Sequence, residues 1–391
     1  MASAGDPALE HALEFLQRVP LIDGHNDLPW VIHAHQMAKG NVSVFQPDIV
    51  HDDHDTDLPR LKAGKVAAQF WASFIPTRSP HPARRVLEVM DVILQMEEQY
   101  PDTLLPARAA SDVEEAMKQG KIASFITVEG GVGLENSLSP LRVWFASGMR
   151  LMTLCHNETL DWVDSATDVA RHHGLTAFGI QVVLELNRLG VIVDLAHTTP
   201  AVMHQVLDIS RAPPVISHGN AFAMCDHPRN VPDDVLDRIK GKGALVMPTF
   251  VPSFLSQANR DWWRPLQDGY GKGAPGLDQQ AIAAQIGKAG PIPKATLAQF
   301  CDHLEYFVQR VGIDHVGIGS DYYGGPVPEG LEHVGRFPHL FAELIRRGWS
   351  DDSLAALASR NFLRVFREAE RVSQQLRRTE RPRVGRVEDF D

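Results

Sequence analysis

The chain has 391 residues, of which 44% are hydrophobic and 22% charged, an ordinary globular composition that allows a large buried core. Its 38 basic and 49 acidic side chains give a formal net charge of −11, which argues against nucleic acid and anionic membrane surfaces as partners. The three cysteines are widely spaced without a C-x-x-C pair, so we expect free thiols and a cytoplasmic protein.

The first twenty residues predict an amphipathic helix with Leu9, Leu13 and Leu16 on one side. They lack the basic and apolar regions of a signal peptide. No window approaches the roughly eighteen consecutive apolar residues of a membrane-spanning helix, so we expect no such span.

Further along the chain, a short apolar run, a polar tip and a helical stretch follow one another repeatedly. Several runs are apolar almost throughout, as in strands that are covered on both faces. We predict eight strands, at 20–23, 69–75, 123–128, 150–154, 191–196, 214–217, 244–247 and 315–319.

Helical patterns lie between these runs. Residues 176–189 predict a helix that Gly190 ends, and Ser350 predicts the N-cap of another. Strands that alternate with helices indicate parallel βαβ units, and eight of them close a (β/α)8 barrel, the TIM barrel. A doubly wound open sheet is the alternative, but no G-x-G-x-x-G follows the first strand, which weakens its dinucleotide-binding form.

We predict a single catalytic domain over residues 1–371 and a charged, loosely held tail over 372–391. Two long connections interrupt the barrel, at about 28–66 and about 251–311, and the second holds a segment rich in Gly, Pro and Trp at 261–276. Barrel enzymes build lids and specificity pockets from connections of this kind.

Metal-binding residue types follow six of the eight predicted strands. In a barrel these strand ends meet at one face, and neutral imidazole together with carboxylate is a zinc-type ligand set. A lone histidine at a strand end is more often structural, but so many at the same end indicate a metal site. The residues are His25, Asp27, Glu129, His156, His197, His218 and Asp321.

Ser217 and Cys155 each precede one of these histidines. Because adjacent residues of a strand point to opposite faces, we do not expect a Ser–His or Cys–His nucleophile pair at either position.

In their order and spacing, these motifs resemble the membrane dipeptidase family, also called renal dipeptidase, and especially its bacterial members. The resemblance extends from Leu21 to about Phe366. It implies a (β/α)8 barrel of the metal-dependent amidohydrolase type. The segments that carry it are IDGHNDLPW, QFWASF, VEGG, MTLCHN, DLAHT, VISHGN, HPRNVPDDVL, GIGSDYYGG and NFLRVF.

The resemblance also implies a binuclear zinc site. His25 and Asp27 would bind one ion, and His197 and His218 the other. Glu129 would bridge the two, with a water or hydroxide between them as the nucleophile.

Three further residues take roles from the same resemblance. Asp321 would move the proton from the nucleophile to the leaving amine, and His156 would contact the scissile carbonyl or its oxyanion. Arg229 would bind the C-terminal carboxylate of the substrate, for which a guanidinium is well suited. Trp30 is the remaining candidate for substrate binding.

Two positions depart from the family pattern in ways that add apolar surface. Phe74 replaces a tyrosine in the QFWASF segment, and Val251 stands where vertebrate members carry a tyrosine. The family's substrate preference is therefore not carried over.

We expect a zinc dipeptidase for substrates with a free C-terminal carboxylate, with D-residues at that end included, as bacterial relatives accept them. The same site could instead cleave N-acyl amino acids or other small amides and lactams. A non-catalytic binding barrel is a third alternative, which the complete ligand set disfavours. Besides the dipeptide we expect no nucleic-acid or membrane partner, and we leave a homodimer open.

Overall fold

A computed structural model describes residues 5–269 and 279–391. Its sheet is parallel throughout, and the strands pair in the order β1-β2-β4-β5-β6-β7-β8, with β3 paired to β4. The strands are β1 (Leu21–Asn26), β2 (Val66–Phe74), β3 (Leu104–Pro106), β4 (Ile122–Glu129), β5 (Met149–Thr153), β6 (Ile192–Asp194), β7 (Val215–Ile216) and β8 (Leu245–Val246).

Helices surround this sheet and fill its connections. A π-helical turn, Ala356–Arg360, joins the two helices nearest the C-terminus. The α-helices are α1 (Pro7–Arg18), α2 (Leu28–Ala34), α3 (Val42–Phe45), α4 (Leu58–Ala63), α5 (Pro82–Gln99), α6 (Ser111–Lys118), α7 (Ser139–Ser147), α8 (Ala177–Leu189), α9 (Pro200–Ile209), α10 (Asp233–Lys242), α11 (Pro252–Leu255), α12 (Gln257–Gly269), α13 (Gln279–Ala289), α14 (Leu297–Val311), α15 (Phe337–Arg346), α16 (Asp351–Ala355) and α17 (Asn361–Thr379).

The segment 316–322 closes the sheet into a barrel. On one side the amide of Gly317 donates to the carbonyl of Val246 at 3.0 Å, and on the other the amide of Gly24 donates to the carbonyl of Ile318 at 3.0 Å. Because this segment pairs with both β8 and β1, the open doubly wound sheet is excluded and the predicted (β/α)8 barrel is confirmed.

Aromatic rings fill the base of the barrel. Phe70 on β2 stacks on Phe125 of β4 with ring centroids 4.5 Å apart. From α17, Phe362 and Phe366 approach these two rings at 4.7 Å and 5.5 Å. The apolar face of α17 therefore packs against the strands, at the end away from the polar tips.

The caps of the predicted helices are confirmed where the sequence marks them. Thr176 accepts a hydrogen bond from the amide of Gly179 at the start of α8, and Gly190 ends that helix with φ 84°. Ser350 caps α16 in the same way. In α1 the buried face is centred on Ala12, Phe15 and Leu16, so Leu9 and Leu13 lie at its border.

Both long connections contain helices. The first includes α2, α3 and α4, and the second includes α11 to α14. Residues 270–278, and with them part of the segment rich in Gly, Pro and Trp, lie outside the described residues.

The C-terminal residues pack on the barrel, although we expected them to be loosely held. Helix α17 continues past residue 371 and buries Val372 and Leu376. The side chain of Asp391 accepts from the amides of Ala177 and Phe178, at 2.8 and 3.2 Å, and so caps α8. The division into one domain and a tail stays a prediction.

The three cysteines are buried and free, as predicted. Among the helices in the described part of the chain, none has both the length and the apolar character needed to cross a membrane.

Candidate active site

The structure brings the predicted metal-binding residues together at the C-terminal end of the barrel. Each follows or ends a strand, so the parallel sheet places them on one face. His25 and Glu129 lie within β1 and β4, and Asp27, His156, His197, His218 and Asp321 lie one to three residues beyond a strand or in the closing segment.

Glu129 lies at the centre of this group. Its Oε1 is 3.0 Å from Nε2 of His197 and 3.4 Å from Nε2 of His218. Its Oε2 is 3.4 Å from Nε2 of His25, which in turn is 3.5 Å from Oδ2 of Asp27. A carboxylate with imidazoles on both of its oxygens is placed to be shared between two ions.

The ligand atoms form three overlapping groups, each with all of its atoms within 4.8 Å of one another. Glu129 and His25 each belong to two of the groups, so the number of ions and the assignment of residues to them stay predictions. The groups are His25, Glu129 and His218; Glu129, His156 and His197; and His25, Asp27 and Asp321.

His197 presents a lone pair rather than a proton to the centre of the site. Nδ1 of His197 lies 3.1 Å from Oδ1 of Asn157, an atom that can only accept, so Nδ1 carries the proton and Nε2 is free. Burial lowers the pKa of both His197 and His218 well below the usual value, which keeps them neutral.

Nε2 of His218 and both ring nitrogens of His25 are among the buried atoms that have no hydrogen-bond partner in the described part of the chain. Burial opposes a charge on His25, but the carboxylates of Glu129 and Asp27 outweigh it and raise its pKa. A position that lone pairs and carboxylates surround is one that attracts a cation, so the residues present fit a zinc-type divalent metal.

Asp321 lies next to this group and is 9% exposed. Its Oδ1 is 3.9 Å from Nε2 of His25, and its backbone amide donates to the carbonyl of His25 at 3.1 Å. Burial raises the pKa of Asp321 well above its ordinary value. A raised pKa makes the ionised carboxylate a stronger base than a free one, which suits it to acid–base chemistry.

A row of rings leads from the metal-binding residues toward Trp30. His156 lies 4.2 Å from His197 and 4.4 Å from Phe74, measured between ring centroids, and Phe74 lies 5.3 Å from Trp30. Burial lowers the pKa of His156 to about 4, so its imidazole is neutral at pH 7. Phe74, one of the two departures from the family pattern, therefore contacts the site directly.

Arg229 is a buried cation at the same face, only 3% exposed. Its Nη2 is 3.5 Å from the carbonyl oxygen of His218, and its guanidinium lies 5.5 Å from the ring centroid of Phe254. Its Nη1 has no hydrogen-bond partner among the described residues. Burial lowers the pKa of Arg229, against the opposing effect of Asp321 and Glu129, whose charges favour the cation.

Sequence reasoning did not assign a function to the buried polar residues behind these ligands. Asp23 and Asp194 are fully buried, and Ser320 in the closing segment and Ser217 just after β7 donate to them. A signal was present, because a carboxylate inside an apolar run must be satisfied by hydrogen bonds from adjacent strands. Asn157, which orients His197, gave no comparable signal.

The chain and its fold match known proteins closely. The sequence profile of the membrane dipeptidase family (peptidase family M19) matches residues 9–380. Dipeptidase verJ of Clonostachys rogersoniana is 35% identical over 389 residues, which cover 96% of this chain and 90% of that protein.

Among solved structures, the probable dipeptidase PvdM from Pseudomonas aeruginosa has a TM-score of 0.80 at 27% identity, over 94% of this chain and 100% of that one. A metallopeptidase from Rhodobacter sphaeroides, liganded with a phosphinate mimic of the dipeptide L-Ala-D-Ala, shares the fold with a TM-score of 0.73 at 22% identity, over 90% and 99% of the two chains. The chain belongs to the membrane dipeptidase family and is a metallo-dipeptidase.

Proposed function

We propose that the protein hydrolyses dipeptides with a free C-terminal carboxylate on two zinc ions, and that dipeptides ending in a D-residue are among its substrates. The observation that carries this proposal is the convergence of three imidazoles on Glu129, at 3.0 to 3.4 Å, beside the buried cation of Arg229. The dipeptide mimic bound by the Rhodobacter sphaeroides metallopeptidase ends in D-Ala, which supports the stereochemical part.

Five residues would hold the metal. His25 and Asp27 supply ligands on one side of Glu129, and His197 and His218 supply them on the other. When bound, the ions would supply the Lewis acidity that activates a water and polarises the scissile carbonyl.

The remaining residues would bind the substrate and move its proton. Arg229 offers an unpartnered Nη1 to the C-terminal carboxylate and so fixes its distance from the scissile bond. Asp321 would take a proton from the attacking water and deliver it to the leaving amine. The neutral imidazole of His156 would donate a hydrogen bond to the carbonyl oxygen as negative charge develops there.

Metal content tests the ligand set. We expect about two zinc ions per wild-type chain and about one fewer in His197→Ala and His218→Ala, with loss of most activity. His204→Ala, at a partly exposed histidine on α9, is the matched control and should retain both ions. Wild-type zinc content in both site variants would contradict the ligand set.

A substrate panel tests the reaction. We expect hydrolysis of L-Ala-L-Ala and L-Ala-D-Ala and poor hydrolysis of N-acetyl-L-alanine, which lacks the dipeptide's α-amino group. Preferential cleavage of N-acetyl-L-alanine would favour an N-acyl amino acid hydrolase instead, and no cleavage of L-Ala-D-Ala would remove the stereochemical part of the proposal.

A further inference from the structure

Asp194, the last residue of β6, is a buried carboxylate whose hydrogen bonds reach the metal-binding group. It is fully buried and accepts from the hydroxyls of Thr153 and Ser217, each at 2.6 Å. It also accepts from the backbone amides of Ser217 and Ala196, at 2.8 and 3.1 Å. Four donors are what an ionised carboxylate can accept.

The hydroxyl of Ser217 connects this carboxylate to the metal-binding group. Its Oγ lies 2.7 Å from Nδ1 of His218, the next residue in the chain. The premise that adjacent side chains point to opposite faces therefore fails at Ser217 and His218. Ser217 is fully buried with its proton directed at Asp194, which is not the arrangement of a nucleophile.

The number of available protons fixes the tautomer of the imidazole. Ser217 has one hydroxyl proton and donates it to Asp194, so its Oγ must accept from Nδ1–H of His218. The proton on Nδ1 leaves the lone pair on Nε2, the atom that faces Glu129 at 3.4 Å.

We propose that Asp194 and Ser217 are positioning residues that hold His218 in the tautomer and orientation in which its Nε2 binds metal. This inference rests on the proposed function, because it takes His218 to be a ligand. The principle is general, since partners of the second imidazole nitrogen orient metal-bound histidines and raise their basicity.

The chain contains a second serine–carboxylate pair that serves as a matched control. Ser320 donates its amide to Oδ1 and its hydroxyl to Oδ2 of Asp23, at 2.8 and 2.7 Å. Like Ser217, it immediately precedes a site residue, Asp321. The further neighbour of its hydroxyl is the backbone oxygen of His25 at 3.1 Å and not an imidazole nitrogen.

This difference separates the proposed role from a purely structural one. If serine–carboxylate pairs only join neighbouring strands, the loss of either hydroxyl should have the same consequences. If Ser217 also orients His218, the loss of its hydroxyl should weaken metal binding beyond what the loss of the Ser320 hydroxyl does.

The experiment compares Ser217→Ala, Ser320→Ala and His218→Ala in the full chain. Zinc affinity is measured by competition with a chelator, and the melting temperature is measured on the zinc-free proteins. We expect similar falls in melting temperature for the two serine variants. We expect Ser217→Ala to bind one zinc about 10- to 100-fold more weakly, and Ser320→Ala to stay within about threefold of wild type.

Two further variants keep the test decisive if Ser217→Ala folds poorly. Ser217→Thr restores the hydroxyl and should restore zinc affinity, and Asp194→Asn, which removes the charge but keeps the shape, should weaken it. Equal zinc affinity in Ser217→Ala and Ser320→Ala, or wild-type affinity in Asp194→Asn, would overturn the positioning role. Unchanged zinc content in His218→Ala would instead contradict the ligand set of the proposed function.

Discussion

Replacement of Arg229 by methionine tests how the enzyme recognises its substrate's carboxylate. Methionine keeps much of the apolar stem that packs near Phe254 and removes the guanidinium. Losing one partner of a buried, charge-assisted hydrogen-bonded pair costs about 2–5 kcal/mol. At about 1.4 kcal/mol per factor of ten, kcat/KM for a dipeptide should fall by about 30-fold to about 5,000-fold.

The fold should not suffer from this change. Arg229 is 3% exposed and its Nη1 has no partner among the described residues, so the free protein carries the cost of an incompletely paired buried cation. Arg229→Met should therefore melt no lower than wild type, as expected of a residue retained for activity at the expense of stability.

The assay compares each dipeptide with its C-terminal amide, which lacks the anion. The wild type should prefer the acid by a factor similar to the loss caused by the mutation, and Arg229→Met should treat acid and amide nearly alike. If Arg229→Met still discriminates between acid and amide as the wild type does, another group binds the carboxylate and the proposed role of Arg229 is wrong.

Two further predictions concern the closing segment. Asp321→Asn should keep both zinc ions and bind a dipeptide-mimic inhibitor within about tenfold of wild type. Its kcat should fall by roughly two to four orders of magnitude, because the amide cannot shuttle a proton. Loss of zinc would make Asp321 a ligand, and a near-normal kcat would reject the shuttle. Gly319→Ala should destabilise the fold by about 3 kcal/mol or more in chemical unfolding, because its Cβ would lie 1.7 Å from the carbonyl oxygen of Ser217. The control Gly241→Ala, whose Cβ would have nothing within 4 Å, should be neutral or stabilising by up to about 1 kcal/mol. Equal effects of the two substitutions would contradict the tight barrel closure.

Much of the barrel could be predicted because each of its signals is local. Seven of the eight predicted runs overlap strands, and the eighth, 315–319, lies in the closing segment, which forms only isolated bridges. The residues that cap α8 and α16 do so through contacts within four residues. Strand β3 was missed because three residues, Leu104–Pro106, are too short for a hydrophobic period to appear. The packing of the C-terminal residues was missed because it depends on contacts distant in sequence, such as those of Asp391 with the start of α8.

In the candidate site, too, some features could be predicted from the sequence and others could not. That His25, Glu129, His197 and His218 would meet follows from strand ends and barrel topology. Which nitrogen of each imidazole is free does not follow, because the tautomers depend on Asn157 and Ser217, whose side-chain directions no spacing rule gives. At Ser217 the alternation rule failed because β7 ends at Ile216, so the two residues that follow are no longer in a strand.

The strand ends also carry backbone conformations that side chains rarely adopt. His197, Asp321 and Tyr323 have φ values of 69°, 62° and 73°. Such residues cost about 1–3 kcal/mol each and persist only where their surroundings hold them. Glycine would relieve the strain, but it would remove the imidazole and the carboxyl on which the proposed chemistry depends.

The first long connection helps to hold the turn that contains Asp321 and Tyr323. Thr56 accepts from the side chain of Asn26 through its hydroxyl, at 2.8 Å. The hydroxyl of Tyr323 donates to the carbonyl of Thr56 and accepts from its amide, both at 3.2 Å. Asn26 lies between His25 and Asp27, and Tyr323 lies two residues after Asp321, so one residue of the connection joins the end of β1 to the turn that follows Asp321. The connection predicted to form a lid or pocket thus also joins the loops that carry the proposed metal ligands and the proposed acid–base residue.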